Sequence, residues 1–288
     1  MPIHNRNFAV VRRMVEIREE PNDEHSAAHD APQQPQSNSR PTANNRNLSS
    51  SLMEFLKEDP VYTICSGLRI LTLFFMVTYT LNALGFMSAK ASYSKAFAAA
   101  AATNAFRLHQ RLRGTVNAVF SRQFLQQLLC EDSCHYLIYS IAFVSSPPVT
   151  MALFPIQLYA LLHTSSYIIK VSEVTGQSRS NLVTSIAQLR DRYTSTCLST
   201  IACVEIFVFP VFFAMILMGK ANILFVFLYY RFLSLRYSSR RNPHTRMAFY
   251  NLKLSLFDVA SKPACPNFLK QFIYQSVNMV QRLAPPVQ

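Results

Sequence analysis

Residues 136–169 read YLIYSIAFVSSPPVTMALFPIQLYALLHTSSYII, a run that holds no Lys, Arg, Asp or Glu. The hydrocarbon core of a bilayer is about 30 Å thick, and a helix crosses it in roughly 20 residues. These 34 residues are too long for one crossing and short for two. Pro147-Pro148 lies inside the run, removes two backbone donors and turns residue 146 away from helix. The stretch therefore reads as a hairpin, with arms of roughly 11 and 20 residues on either side of the prolines.

Three further apolar stretches surround it. Residues 61–87 carry only Arg69 as a charge, residues 196–218 only Glu205, and residues 221–235 only Arg231. The last is too short to span alone. It pairs with residues 196–218 across Gly219-Lys220, a dipeptide suited to a tight turn. Tyr62 to Leu84 is the best single span, with Pro60 placed for the first turn of its helix. The fold class that follows is an all-α integral membrane protein: several transmembrane or re-entrant helical hairpins, amphipathic interfacial helices and a disordered N-terminal tail. Three regions are expected: a polar tail over 1–51, a helical membrane domain over 52–245 and an interfacial amphipathic region over 246–288.

Charge divides the chain in the same way. The net charge is +13 and the mean hydropathy +0.12, but residues 1–59 alone are net acidic. That tail is rich in Pro, Gln, Asn and Ser and buries too little apolar surface to offset its ordering entropy. One short amphipathic helix is expected within it, from Phe8 to Glu20. Basic residues concentrate in 88–133, 170–195 and 236–288, which places those segments on the cytosolic side. A lumenal tail is then the simpler topology. If the Ala-rich segment 89–106 is a return arm instead, the tail becomes cytosolic.

Two amphipathic helices flank the apolar stretches. Val116, Phe120, Phe124 and Leu128 line one helical face, which either packs on the rest of the protein or lies on the membrane. Beyond Pro266, Leu269, Phe272, Ile273, Val277, Val280 and Leu283 form an apolar stripe next to a basic segment, the pattern of an interfacial anchor. Arg231, Arg236, Arg240 and Arg241 cluster in YYRFLSLRYSSRRNP, suited to anionic headgroups or an acidic partner and to anchoring topology.

Arg69 and Glu205 are ionisable residues inside apolar stretches, and such residues mark structural pairs or functional paths. Glu205 could pair with Arg69 or with Arg231. A channel or transporter with Arg69 and Glu205 lining a polar path is the alternative reading. The run Glu131-Asp132-Ser133-Cys134-His135 looks catalytic at a glance. Neighbours on a helix point about 100° apart, so Ser133, Cys134 and His135 cannot form a triad among themselves. Cys130, Cys134 and His135 lack an evident fourth zinc ligand. No nucleotide-binding glycine motif, zinc finger or RNA-recognition motif occurs, so no enzyme activity, cofactor, metal or nucleic-acid partner is expected. Cys265, between Ala264 and Pro266, is a weak candidate for palmitoylation. Asn47-Leu48-Ser49 is a glycosylation sequon that can report topology.

Several segments are long and unusual: RLHQRL (107–112), EDSCHYLIYS (131–140), PVTM (148–151), IACVEIF (201–207), YYRFLSLRYSSRRNP (229–243), KPACP (262–266) and RLAP (282–285). In this order, over about residues 52–286, they resemble the transmembrane protein 33 family, also called Krüppel homolog 2, which includes fungal pore-membrane proteins. The resemblance implies a multi-pass protein of the endoplasmic reticulum membrane and nuclear envelope. It implies partnership with reticulon-type hairpin proteins and the lipid bilayer, restraint of tubule formation and a link to nuclear pore components. It also implies membrane targeting through a C-terminal amphipathic helix, here Pro266 to Leu283. No catalytic residues come with it, and it offers nothing on the tail.

Overall fold

The computed structural model describes residues 48–82, 89–113, 122–220, 222–239 and 242–284. The expected helix at Phe8 to Glu20, the positions Val116 and Phe120, and Arg240 and Arg241 lie outside these. Among the described residues every regular element is helical.

Helix α1 (Leu48–Glu58) leads into α2 (Pro60–Asn82). Asp59 caps α2, its Oδ1 accepting from Tyr62 N at 3.0 Å, and Pro60 takes the first helical position, where no donor is needed. Helix α3 (Ala89–Leu112) runs back along α2. Early α3 meets late α2, with Asn82 Nδ2 donating to Ser92 Oγ at 3.1 Å and Tyr79 and Tyr93 rings 5.9 Å apart. Late α3 meets early α2, where Cys65 Sγ lies 3.9 Å from Thr103 O. Alanines make this close pairing possible: Ala96, Ala99 and Ala100 are buried, so two backbones approach without bulky side chains between them. The Ala-rich segment is therefore a return arm, and the polar region 88–133 does not lie wholly at one end of the bundle.

Helix α4 (Arg122–Cys130) follows, then α5 (Asp132–Val144). Phe124 and Leu128 of α4 pack against Leu108, Leu112 and Cys134, so the described half of this amphipathic helix docks on the bundle. Helix α5 stops at the expected break. Ser145 caps it, Pro147-Pro148 stay outside helix, and a 3-10 turn (Thr150–Ala152) starts α6 (Leu153–Val174). Pro155 falls in the first turn of α6, where a missing N–H costs nothing.

Helix α7 (Asn181–Leu217) is longer than its apolar stretch. At 1.5 Å per residue it measures about 55 Å, so its polar first half extends well beyond a hydrocarbon core. Both of its connections are closed by a left-handed glycine. After α6, Gly176 has φ 72°, with Gln177 N bonded to Ser172 O and Gly176 N to Glu173 O. After α7, Gly219 has φ 68°, with Lys220 N bonded to Met215 O and Gly219 N to Ile216 O. This pairing satisfies carbonyls that a helix end leaves open, and only glycine enters the left-handed region without penalty. Helix α8 (Ile223–Ser238) is capped by Asn222, and α9 (His244–Ser261) and α10 (Asn267–Leu283) complete the chain.

The core is aromatic. Phe97 of α3 stacks on Phe143 of α5 at 5.2 Å, Phe143 meets Phe212 of α7 at 5.1 Å, and Tyr139 meets Phe232 of α8 at 4.9 Å. Outside, large apolar side chains are exposed, among them Phe74 and Val77 on α2, Phe207 and Phe213 on α7, and Phe227 on α8. Among the described residues three helical segments, Pro60–Asn82, Thr150–Val174 and Asn181–Leu217, are long and apolar enough to cross a membrane. Large apolar side chains exposed around the outside of a bundle whose core is already packed are suited to lipid as the solvent.

Candidate functional site

The most concentrated chemistry in the bundle is a buried ionic knot. Glu205 projects from the apolar half of α7 with no exposure at all. Its Oε2 lies 3.3 Å from Arg236 Nε, its Oε1 accepts from the Tyr136 hydroxyl, and its backbone carbonyl accepts from Tyr229 Oη at 2.8 Å. Arg236, also fully buried, uses its remaining nitrogens elsewhere. Nη1 reaches Asp132 Oδ1 at 3.2 Å, and Nη2 donates to Tyr159 Oη at 3.1 Å. The guanidinium also lies over the Tyr136 ring, 5.0 Å from its centre. Asn242 donates to the Tyr159 oxygen at 3.4 Å.

One guanidinium thus ties α5, α6, α7 and α8 together. The guanidinium is planar and its contacts here are multidentate and charge-assisted, which suits arginine and would not suit lysine. With both carboxylate oxygens of Glu205 engaged and the group enclosed, the geometry is that of a structural tie.

This placement revises the expectations for two residues. Arg236, expected among the headgroup arginines, is inside the bundle because the face of α8 that carries it also carries Tyr229, Phe232 and Leu233, all buried. The partner of Glu205 is Arg236, where Arg69 and Arg231 were the candidates. Arg231 is exposed on the opposite face of α8. Arg69 is 6% exposed and sits with Cys65 and His163 where α2, α3 and α6 meet. Arg69 and Glu205 therefore belong to different helix interfaces. Sequence reading missed Asp132, Tyr136, Tyr159 and Tyr229. The signal for the three tyrosines was their density in stretches poor in charged side chains; Asp132 stood in the run already noted at the start of α5.

The Ser133-Cys134-His135 run starts α5 and is turned inward. Cys134 packs on Leu108 and Leu112, while His135 Nε2 contacts Leu129 O at 2.6 Å and its Nδ1 lies 3.6 Å from Asp132. Among the described residues no group of three His, Cys, Asp or Glu is placed to hold a metal. Cys265 is 9% exposed, with its sulfur near Pro266 O.

The C-terminal stripe is divided in two. Ile273 and Val277 are buried against Leu256, Phe257 and Ala260 of α9, and Tyr274 meets the Phe257 ring at 5.4 Å. These two residues of the expected membrane face are thus a docking seam. Phe268 (80% exposed), Phe272 (58%), Met279, Val280 and Leu269 remain outside on an adjoining arc of about 120°. The Leu283 side chain lies outside the described residues. Seating half of a wide apolar sector on α9 sets the direction in which the other half points.

The family description Transmembrane protein 33/Nucleoporin POM33 matches residues 44–286. Transmembrane protein 33 homolog of Caenorhabditis elegans is 40% identical over 238 residues, covering 83% of this chain and 87% of its own. Transmembrane protein 33 of Homo sapiens is 40% identical over 246 residues, 85% of this chain and 98% of its own. Krueppel homolog 2 of Drosophila melanogaster is 36% identical over 246 residues, 84% and 86% respectively. No solved structure matches.

Proposed function

The chain belongs to the Transmembrane protein 33/Nucleoporin POM33 family, and on that premise we propose that it is a non-enzymatic organiser of the endoplasmic reticulum membrane and nuclear envelope. In this reading it binds reticulon-type hairpin proteins and modulates membrane curvature, tubule organisation and the distribution of nuclear pores. The observation that carries the reading is the exposed apolar arc of α10, held at a set angle by Ile273 and Val277 on α9. An amphipathic helix at the interface inserts volume into one leaflet and favours curved membrane. The short helices α5 and α8, 13 and 16 residues long, add to that asymmetry because neither matches the full hydrocarbon thickness. Arg231, Arg240 and Arg241 supply the headgroup contacts in this picture, without Arg236.

The test is recovery of reticulons with the tagged full-length protein from a mild-detergent lysate, beside a form truncated after Ala264. Recovery with both places the contact in the bundle. Recovery with the full-length protein alone places it on α10. Recovery with neither removes reticulon binding from the proposal.

A further inference from the structure

A groove of about 860 Å3 runs between α1 and the end of α6, lined by Met53, Glu54, Phe55, Lys57 and Glu58 of α1 and by Val174 of α6, with two serines at the start of α1. Phe55 seats α1 there, its ring 6.2 Å from that of Tyr167 on α6. Met53 is 54% exposed and Val174 41%, so apolar surface lies open within the groove.

Carboxylates set its chemistry. Elsewhere among the described residues the acids are engaged: Glu131 with Arg111, Asp132 and Glu205 with Arg236, Asp191 with Arg190, Asp258 with Lys262, and Asp59 with Tyr62 N. Glu54, Glu58 and Glu173 form no ion pair among the described residues; the first two line the groove and the third precedes Val174. Glu54 and Glu58 are four positions apart and share one face of α1. Lys57 lines the groove without pairing with either. On a chain of net charge +13, this is a place of opposite sign.

Position points to the partner. Helix α1 leads into Pro60–Asn82 and Val174 ends Thr150–Val174, so the groove lies at the ends of two helices long and apolar enough to cross a membrane. That is the level of the headgroups. The chain beyond Val174 carries Arg179, Arg190 and Arg192, the charge of a cytosolic end. Other membrane proteins carry Lys and Arg beside the cytosolic ends of their own spans. Such a flank arrives at this depth with positive charge for Glu54 and Glu58 and apolar side chains for Met53 and Val174. Anionic headgroups are repelled by the same carboxylates. We propose that the groove between α1 and the end of α6 docks a basic amphipathic segment flanking a transmembrane helix of another membrane protein. No residue of α10 takes part, so this contact is additional to the one proposed above.

The experiment uses the full-length protein in phosphatidylcholine vesicles with a synthetic Leu/Ala transmembrane peptide that carries a Lys/Leu flank, beside the same peptide with a Glu/Leu flank. Association is read by energy transfer from a donor on the protein to an acceptor on the peptide. The expected result is association of the Lys-flanked peptide alone, weakened by added salt and about fivefold by Glu54→Gln with Glu58→Gln. Asp258→Asn, at an exposed carboxylate on α9, leaves it unchanged. Glu54→Lys with Glu58→Lys abolishes association with the Lys flank and creates it with the Glu flank. Equal association of the two peptides with the unaltered protein overturns the proposal. So does a Glu54→Gln, Glu58→Gln protein that behaves like Asp258→Asn. A soluble Lys/Leu peptide without the span that binds as tightly, beyond its binding to empty vesicles, overturns the assignment to a membrane partner.

Discussion

Arg236 and Glu205 stand 31 positions apart in the chain, yet their side chains meet at 3.3 Å with neither reaching the surface. A buried pair costs desolvation, and its net contribution is small while both members are present. Breaking it is another matter. Glu205→Ala leaves the guanidinium enclosed with Asp132 as its remaining carboxylate and is expected to destabilise the bundle by about 3–5 kcal/mol. Loss of the monodisperse peak on heating, followed by fluorescence-detected size exclusion, measures this. The double replacement Glu205→Leu with Arg236→Met is expected to recover much of the loss, because it removes both charges.

The division of α10 predicts two classes of substitution. Phe268→Asp with Phe272→Asp alters only the exposed arc, so the unfolding midpoint stays unchanged. Enrichment of the protein in narrow tubes pulled from giant vesicles is expected to fall. Val277→Asp places a charge in the seam with α9 and is expected to loosen α10, seen as faster proteolysis between Ser261 and Asn267. If the outer pair leaves tube enrichment intact, α10 has no part in curvature.

The glycine that follows α7 predicts a local effect. At φ 68°, an alanine in place of Gly219 is strained by about 1 kcal/mol, although no neighbouring atom crowds the position. Gly176→Ala behaves alike after α6. Each lowers the unfolding midpoint by a few degrees.

The return of α3 along α2 predicts the topology. The start of α2 and the end of α6 share one end of the bundle, where Tyr62 and Tyr167 rings are 5.7 Å apart and Lys170 caps the Tyr62 ring. The Arg111–Glu131 and Arg236–Asp132 pairs lie where α3 ends, α5 begins and α8 ends. Positive charge favours the cytosol for that end. Asn47 is then expected to remain unglycosylated, whereas a sequon engineered between Asn82 and Ala89 is modified. Mobility shifts on treatment with a glycosidase read both; modification of Asn47 would reverse the orientation.

Local residue chemistry determined several of the helix ends. Pro147-Pro148 ended α5, Gly219 closed α7, and Pro60 opened α2, because backbone donors and left-handed dihedrals are local properties that no neighbour can change. It likewise determined that α10 is amphipathic and that a charge at 205 needs a partner. Which partner was decided in three dimensions. Arg231 and Arg236 are alike in type and close in sequence, but only the face of α8 with Tyr229 and Phe232 turns toward Glu205, and that rotation is set by aromatic packing among α3, α5, α7 and α8. The same holds for Ala89–Leu112, a polar segment or a return arm by sequence alone, whose small residues gain their meaning only against α2. It holds for Ile273 and Val277, which are indistinguishable from Phe272 in apolarity until α9 claims them. Hydrophobicity says that a face must be covered; only the assembled helices say by what.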